Sequence, residues 1–217
     1  MVAPTAWGGW PSDVARSPRL DFFVYSRDAP GTAALRDDEE LLEEHWSYMD
    51  GFAESMIARG PTFGTDRETA TGSLHVVGLP SVDAVREFVA HEPNNRAGVY
   101  AEHSVWRFEN LLGRTMWEFV GAADEPKFLI IARSDRDLKT GTSPKPVPPE
   151  SLTAELRARL ILYGPLTELD DARRVGIAIA VQARDRAAVD ALLEAGRVRL
   201  DVFPNVEIHD WEFGGRR

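Results

Sequence analysis

"GSLHVVGLPSVDAVREFVA" (72–90) and "GIAIAVQARDRAAVDALLE" (176–194) are the two stretches that decide the fold of this chain. Each reads as an apolar strand, a turn and an amphipathic helix. Their first glycines lie 104 residues apart, and the same offset relates Gly60-Pro61 to Gly164-Pro165. Several matches in one order at a nearly constant offset indicate that the chain is a duplication.

The matches continue toward both ends of the two copies. "FFVYSRD" (22–28) is similar to "FLIIARSD" (128–135), and "VWRF" (105–108) is similar to "DWEF" (210–213). Each copy is predicted to run strand, helix, Gly-Pro turn, strand, helix, strand, with room for a further short strand after Gly-Pro. That is the order of a ferredoxin-like unit. We therefore predict an α+β fold in which two fused ferredoxin-like units bring their antiparallel sheets together as an α/β barrel.

The duplication also predicts how the chain is divided. The predicted parts are an N-terminal arm (1–20) that docks through Trp7 and Trp10, a first unit (21–110), a connector (111–126) and a degenerate second unit (127–217). Within the units, the first helix of each copy is expected at about 38–58 and about 150–162.

Composition excludes several classes of protein. The 217 residues include no cysteine, which rules out disulfides, thiolate nucleophiles and Cys-ligated metals. A net charge of −10 disfavours nucleic acid as a partner, because phosphate binding needs a basic face. No apolar run approaches the roughly 20 residues of a membrane span, and the N-terminus lacks the pattern of a signal peptide. A cytoplasmic protein that binds neither nucleic acid nor membrane is expected.

His45 is the most informative polar residue of the predicted first helix. It shares an apolar stripe with Leu41, Met49, Phe52 and Met56. Such a histidine is either a core residue bonded to a backbone carbonyl or part of a site. The apolar positions recur in the second copy, but Pro149 stands opposite His45, and Glu92 maps near Gly196. This asymmetry favours one pocket built mainly by the first copy, with the second copy as wall and lid.

Four segments of the first copy together resemble a known family. They are "VYSRDAPGTAALR" (24–36), "HWSYMDGFAESMIARGP" (45–61), "TGS" (71–73) and "EPNNRAGVYAE" (92–102). The pattern is similar to that of the YCII family of small dimeric α/β-barrel proteins. The resemblance covers about 21–110 well and 127–214 only as scaffold. Family members close the barrel from two chains, so this tandem chain is expected to be either a monomeric pseudo-dimer or a homodimer.

The resemblance also implies a site. The family's His–Asp pair falls on His45 and on Glu92, where glutamate replaces aspartate and Asn94 replaces the aromatic residue that usually follows. The predicted catalytic residues are His45, Glu92 and Asp28, and the predicted substrate-binding residues are Arg36, Ser73, His75 and Asn94. A carboxylate bound to one imidazole nitrogen fixes the tautomer and leaves the other nitrogen to move a proton.

Two of these residues have equally simple structural explanations. Asp28 is either a second carboxylate of the site or a turn residue in "RDAPG". Arg36 either binds a substrate carboxylate or pairs with the acidic run at 37–44.

No cofactor or metal is predicted. His75, His91 and His103 lie on different elements without a metal-binding spacing, nothing marks a haem ligand, and neither a P-loop nor a nucleophile elbow is present. The first functional class is a cofactor-independent enzyme that isomerises, eliminates, cyclises or dehalogenates a small acidic or polyketide-like molecule. The second is a binding protein for a metabolite or partner on the same scaffold. A third, weaker class is a scaffold subunit that uses the tryptophan arm.

Overall fold

The computed structural model describes residues 19–134, 143–171 and 173–215. The first half consists of β1 (Leu20–Asp28), α1 (Ala33–Arg36), α2 (Glu39–Asp50), β2 (Met56–Phe63), β3 (Ala70–Leu79), α3 (Val82–His91), α4 (Pro93–Arg96) and β4 (Tyr100–Phe108). The second half consists of β5 (Lys127–Arg133), α5 (Ala154–Arg159), β6 (Leu160–Thr167), β7 (Arg174–Gln182), α6 (Arg186–Ala195) and β8 (Asn205–Trp211). Residues 1–18 of the predicted arm, with Trp7 and Trp10, lie outside the described residues, and Leu20 already begins β1.

The strands form a closed antiparallel barrel. Neighbouring strands follow the order β1-β3-β2-β8-β5-β7-β6-β4, and β4 returns to β1. The two halves meet at two short seams, β2 with β8 and β4 with β6. The predicted fold class is therefore confirmed, and one chain closes the barrel by itself. None of the described helices has the length and apolar character needed to cross a membrane.

Three apolar layers hold this architecture together. Side chains of both halves fill the barrel interior, among them Phe23, Trp106, Leu129 and Trp211. In the first half, α2 and α3 pack their apolar stripes on the outer face of the sheet through residues such as Met49 and Phe88. An equivalent layer in the second half joins α5 and α6 to their sheet. The helices therefore lie outside the barrel, and a pocket between helix and sheet is separate from the barrel interior.

The predicted first helices were too long, and the predicted Gly-Pro turns were wrong. Helix α2 ends at Asp50, and Met56 already begins β2. In the second copy the helix covers only Ala154–Arg159. Both Gly-Pro pairs lie inside strands, in β2 and β6. The first helix was predicted too long because its apolar positions fit spacings of three and four as far as Met56, although the chain turns after Gly51.

The strand registers of the two halves correspond closely. Gly60 lies opposite Leu74, and Gly164 opposite Ala178. Each half also has a register shift at the start and at the end of this strand pair, at 56/58 and 62/63 in the first and 160/162 and 166/167 in the second. Bulges are specific features that a related copy would retain. These shared bulges support the duplication. The duplication and the domain bounds derived from it remain predictions.

Two Arg–Glu pairs stand at equivalent places at one end of the barrel. Arg27 contacts Glu102 at 2.9 Å in the first half, and Arg133 contacts Glu207 at 2.8 Å in the second. Arg27 also reaches across to Glu207 at 2.6 Å. His209, 3.3 Å away, and Arg27 lower the pKa of Glu207 to about 2, although burial raises it. Glu207 therefore joins the two halves electrostatically.

Replacing Glu207 by glutamine should destabilise the protein in a pH-dependent way. A carboxylate with a lowered pKa stabilises the fold above about pH 4.5, and that contribution is lost as the pH falls toward about 2. Because this side chain is partly exposed, we expect a loss of only about 1–2 kcal/mol at pH 7. Urea unfolding of both proteins at pH 7, 4 and 3 should show the difference shrinking. Glu102→Gln, at the more exposed equivalent position, should have a smaller effect; equal effects would contradict this account.

Candidate active site

His45 and Glu92 are brought together by helix α2 and the turn that leads into α4. His45 Nδ1 lies 2.5 Å from Glu92 Oε1. Glu92 is the N-cap of α4, and its other oxygen accepts the backbone N–H of Asn95 at 2.7 Å. The residue is only 3% exposed. Both carboxylate oxygens are therefore engaged, and the imidazole ring is held by a carboxylate that cannot readily rotate away.

The short contact determines which ring nitrogen of His45 carries the proton. The Asn94 amide Nδ2 also lies 3.1 Å from Nδ1. One nitrogen cannot donate to Glu92 and accept from Asn94 at once, so the shorter contact decides and Nδ1 donates. Asn94 Nδ2 donates instead to the Tyr100 hydroxyl at 3.4 Å. The arrangement leaves His45 Nε2 as the nitrogen for a ligand.

Asp28 and Arg36 form a pair of their own. Arg36 donates to Asp28 through Nε at 2.7 Å and Nη2 at 2.5 Å, and Nη2 also lies 3.1 Å from the Ser73 hydroxyl. Burial opposes the charge on Arg36, but the hydrogen bonds to Asp28 raise its pKa overall. Arg36 thus pairs with Asp28 rather than with the acidic run. A bidentate pair of this kind orients Ser73 and braces the end of β1.

A cavity of about 280 Å³ lies beside His45. Its lining from the first half is Arg36, Leu42, His45, Trp46, Arg59, Gly60, Pro61, Ser73, His75 and Asn94, and its lining from the second half is Phe213, Gly214 and Gly215. Five of the seven predicted site residues therefore line one cavity. Glu92 does not line the cavity but contacts His45, which does. Asp28 likewise does not line it but contacts Arg36, which does. The segment that follows β8 supplies one wall.

His75 is a neutral member of this lining. It is 3% exposed, and its ring lies 5.8 Å from the ring of His45 and 5.8 Å from that of Phe88. Burial, and then the positive fields of His45, Arg59 and Arg36, hold the pKa of His75 well below its ordinary value. At neutral pH it can offer a hydrogen bond to a ligand but carries no charge.

A family model described as the YCII-related domain matches residues 21–109. The 5-chloro-2-hydroxyhydroquinone dehydrochlorinase of Burkholderia phenoliruptrix AC1100, solved with 2,5-dihydroxybenzoquinone, is 31% identical over 42% of this chain and 94% of its own, with a TM-score of 0.37. The chain belongs to the YCII-related family.

A more distant likeness extends over both halves of this YCII-related protein. A proposed monooxygenase from Fusobacterium nucleatum covers 91% of this chain and 93% of its own at 7% identity, with a TM-score of 0.52. That similarity concerns the fold alone. No curated protein matches the chain.

In the second half of this YCII-related protein, apolar core side chains occupy the space that corresponds to the cavity of the first half. At the offset of 104 residues, Tyr163 replaces Arg59, and Ile177 and Ile179 replace Ser73 and His75. Those three residues belong to the apolar layer of the second half. A Cβ at Gly196, which maps near Glu92, would meet Leu156 at 2.2 Å. The second half therefore has apolar packing where the first has polar side chains around a cavity.

Arg59 and Trp46 are lining residues that the sequence analysis did not single out. Arg59 is 5% exposed within an otherwise apolar part of β2. It belongs to no motif. The available signal was the comparison of the two copies, because a buried arginine in "ARGP" stands where the second copy has tyrosine in "LYGP".

His103 supports Glu92 indirectly, through Asn95. His103 Nε2 lies 2.8 Å from Asn95 Oδ1, and Nδ1 lies 2.8 Å from the Ser26 hydroxyl. Asn95 Nδ2 donates to Val89 O, so the Asn95 oxygen must accept, and Nε2 of His103 carries the proton. Burial lowers the pKa of His103, so the ring is neutral at pH 7. The network fixes Asn95, whose backbone N–H holds Glu92.

Replacing His103 by leucine should therefore disturb the site without touching the cavity. If the site turns over a substrate, kcat should fall roughly tenfold with KM nearly unchanged, because the Glu92–His45 pair loses its alignment. His103→Gln, which can still donate to Asn95, should recover most of the activity. If both variants lose thermal stability equally but keep kcat, His103 has a purely structural role.

Within 19–134, 143–171 and 173–215, no group of three or more His, Asp or Glu side chains lies close enough together to hold a metal ion.

Proposed function

We propose that this YCII-related protein is a cofactor-independent enzyme that moves a proton on a small organic molecule through His45. One observation carries the proposal. A buried carboxylate fixes one nitrogen of an imidazole whose ring lines a cavity. This is the arrangement that a general acid–base catalyst needs.

The proposed roles follow from the contacts. Glu92 holds the Nδ1–H tautomer of His45 and stabilises the imidazolium that forms when Nε2 accepts a proton. Asn94 and Ser73 present an amide and a hydroxyl for hydrogen bonds to the substrate, and neutral His75 can do the same. Asp28 acts through Arg36 as a positioning residue, which is a narrower role than that of a second acid or base.

The proposed reaction is an elimination or an isomerisation. His45 Nε2 takes a proton from a C–H or O–H bond of the substrate, and the electron pair forms a double bond. In an elimination, the leaving group departs with its own electron pair as an anion. In an isomerisation, the proton is returned at another atom. Cyclisation and dehalogenation are variants of the same proton transfer, and none of these steps calls for a cofactor.

Two observations support a substrate about the size of a single ring. A cavity of about 280 Å³ lies at the small end of the range for ligand sites. A relative that is 31% identical is named as a dehydrochlorinase of a chlorinated hydroxyhydroquinone. We propose a small acidic or hydroxylated unsaturated molecule, with polyketide-like rings included. Because one chain closes the barrel, we further propose that the working unit is a monomeric pseudo-dimer.

A binding protein without chemistry is the second candidate. It is favoured by Glu92 and Asn94, which stand where the family pattern has aspartate and an aromatic residue. A longer carboxylate and a smaller, polar neighbour change the shape of the pocket, so the ligand could be held without being converted.

The two candidates are separated by incubating a metabolite extract of the source cell with the protein and following it by untargeted mass spectrometry. An enzyme consumes at least one compound and produces either an isomer or a product lighter by the eliminated group. A binder retains a compound on the protein without converting it. Retention without consumption would contradict the proposed enzymatic function.

A further inference from the structure

His75 lies on the face of β3 that the helices cover. Side chains of a strand alternate between its two faces, so Ser73, His75 and Val77 share one face. Val77 belongs to the apolar layer beneath α2 and α3, whereas Ser73 and His75 line the cavity beside His45. His75 therefore stands where this face changes from packed core to cavity wall.

The surroundings of His75 direct its ring nitrogens to the cavity. The residue is 3% exposed, and its ring packs against the rings of His45 and Phe88. In the part of the chain that the structure describes, no hydrogen bond joins either ring nitrogen to another residue. Buried polar groups nearly always have a partner, so a molecule in the cavity has to supply it. Packing alone does not call for a histidine here, because the second half has the buried Ile179 at the equivalent place.

The two cavity histidines differ in the group that they offer to a ligand. His45 offers the unprotonated Nε2, because Glu92 holds the proton on Nδ1. His75 is kept neutral by burial and by the positive fields of its neighbours, which are His45, Arg59, Arg36 and His103. A neutral imidazole has one N–H that donates, and it can polarise an oxygen without giving up its proton. One ring is therefore suited to accept a proton and the other to donate a hydrogen bond.

We propose that His75 is a second catalytic residue, whose ring N–H binds the substrate oxygen on which negative charge develops while His45 Nε2 takes a proton from the neighbouring carbon. This role rests on the proposed function and specifies its substrate class, which is a compound with a C–H bond beside a carbonyl group. The ring centroids of the two histidines are 5.8 Å apart, so atoms that are two bonds apart in one substrate can contact both. Preorganised donors aimed at developing charge are commonly the largest contribution to such reactions.

The electrons of the proposed step balance without a further reactant. The C–H bond breaks toward His45, its electron pair forms a C=C bond, and the carbonyl electrons move onto the oxygen that His75 binds. The product of this step is an enolate and an imidazolium. In an isomerisation, the imidazolium returns the proton at another carbon of the conjugated system and the carbonyl re-forms. In an elimination, the carbonyl re-forms as the C=C pair shifts by one bond and expels the leaving group as an anion.

Binding of a stable enolate tests this role without requiring turnover. The probes are cyclohexane-1,3-dione, which is an enolate at pH 7, and cyclohexanone, a neutral ring of similar size. His75→Ile introduces the residue of the second half, and calorimetry should show it losing roughly tenfold or more in affinity for the enolate, as expected for a hydrogen bond to a charged group. It should lose much less for cyclohexanone, and His75→Gln, which keeps an N–H donor, should lose less for the enolate. His209→Ile is the control, because His209 is largely buried beside Tyr25 but does not line the cavity.

Several results would overturn the role of His75. It is wrong if the wild type does not bind the enolate, or if His75→Ile keeps the affinity for it while melting near the temperature of His209→Ile. If His75→Ile does not fold, proton NMR of the wild type decides, because the enolate should move the His75 N–H resonance downfield and an unmoved resonance contradicts the contact.

Failure of the proposed function has a different signature. If the enolate affinity depends on His75 but no compound of the extract is consumed, the enolate site stands and the proton-transfer function fails. With a substrate in hand, His75→Ile should lower kcat by roughly 10²–10³-fold. An unchanged kcat would remove His75 from the reaction and leave His45 in it.

Discussion

His45→Ala should lower kcat by about 10²–10⁴-fold on the compound that the wild type consumes, while binding of that compound changes little. The reason is that alanine removes the nitrogen that moves the proton but leaves the remaining lining of the cavity in place. Glu92→Gln should give a smaller loss, because glutamine can still contact Nδ1 but stabilises the imidazolium poorly. Steady-state kinetics and calorimetric binding on the same preparations check both expectations.

His91→Ala provides the control for this prediction. His91 is at the C-terminus of α3, its side chain is 38% exposed, and it does not line the cavity. Its removal should leave kcat within about twofold, as expected of a surface substitution. If His45→Ala and His91→Ala have the same activity, the proton-transfer role of His45 is contradicted.

Gly60→Ala and Gly164→Ala should each destabilise the protein severely, by about 3 kcal/mol. A Cβ at Gly60 would meet Glu212 O at 1.9 Å, and one at Gly164 would meet Glu109 O at 1.8 Å. These close approaches occur where the two halves join and backbone N–H groups donate across the seams. Gly60→Ala should cost at least as much as Gly164→Ala, because Gly60 also has a φ of 154° that alanine rarely adopts.

The measurement is urea unfolding at pH 7, with Gly78→Ala as the control. Gly78 is also a glycine of a strand, but a Cβ there would be in ordinary contact, no closer than 3.4 Å to its neighbours. Its replacement should change the unfolding free energy by less than about 1 kcal/mol. If Gly60→Ala and Gly164→Ala are as stable as Gly78→Ala, the backbones do not approach as described.

The barrel could be predicted because its evidence is distributed along the whole chain. Alternating apolar strands and the recurrence at 104 residues specify two similar units, and each unit has an uncovered sheet face. The helix bounds could not be predicted as well, since apolar positions from Leu41 to Met56 fit helical spacing across a turn. The Gly-Pro pairs were misplaced because proline rarely lies inside a strand. Here β2 pairs with β3 along its length but with β8 over only two residues, so Pro61 lies in a strand that is weakly paired on one side.

The site was predictable to a lesser degree. His45 and Glu92 are 47 residues apart, and only the family pattern indicated that they meet. The Asp28–Arg36 pair was not foreseen, although each residue was considered separately. Arg59 has no motif, because a buried arginine acquires its meaning from what surrounds it in space. Comparison of the two copies was the one signal that pointed toward it.

A crystal structure with the compound that the protein consumes or retains tests the central claim most directly. His45→Ala can be used to trap a substrate. The account predicts one ligand per chain, in the cavity of the first half, with its reacting atom about 2.6–3.2 Å from the position of His45 Nε2. A ligand bound inside the barrel, or against the second half, would contradict the account.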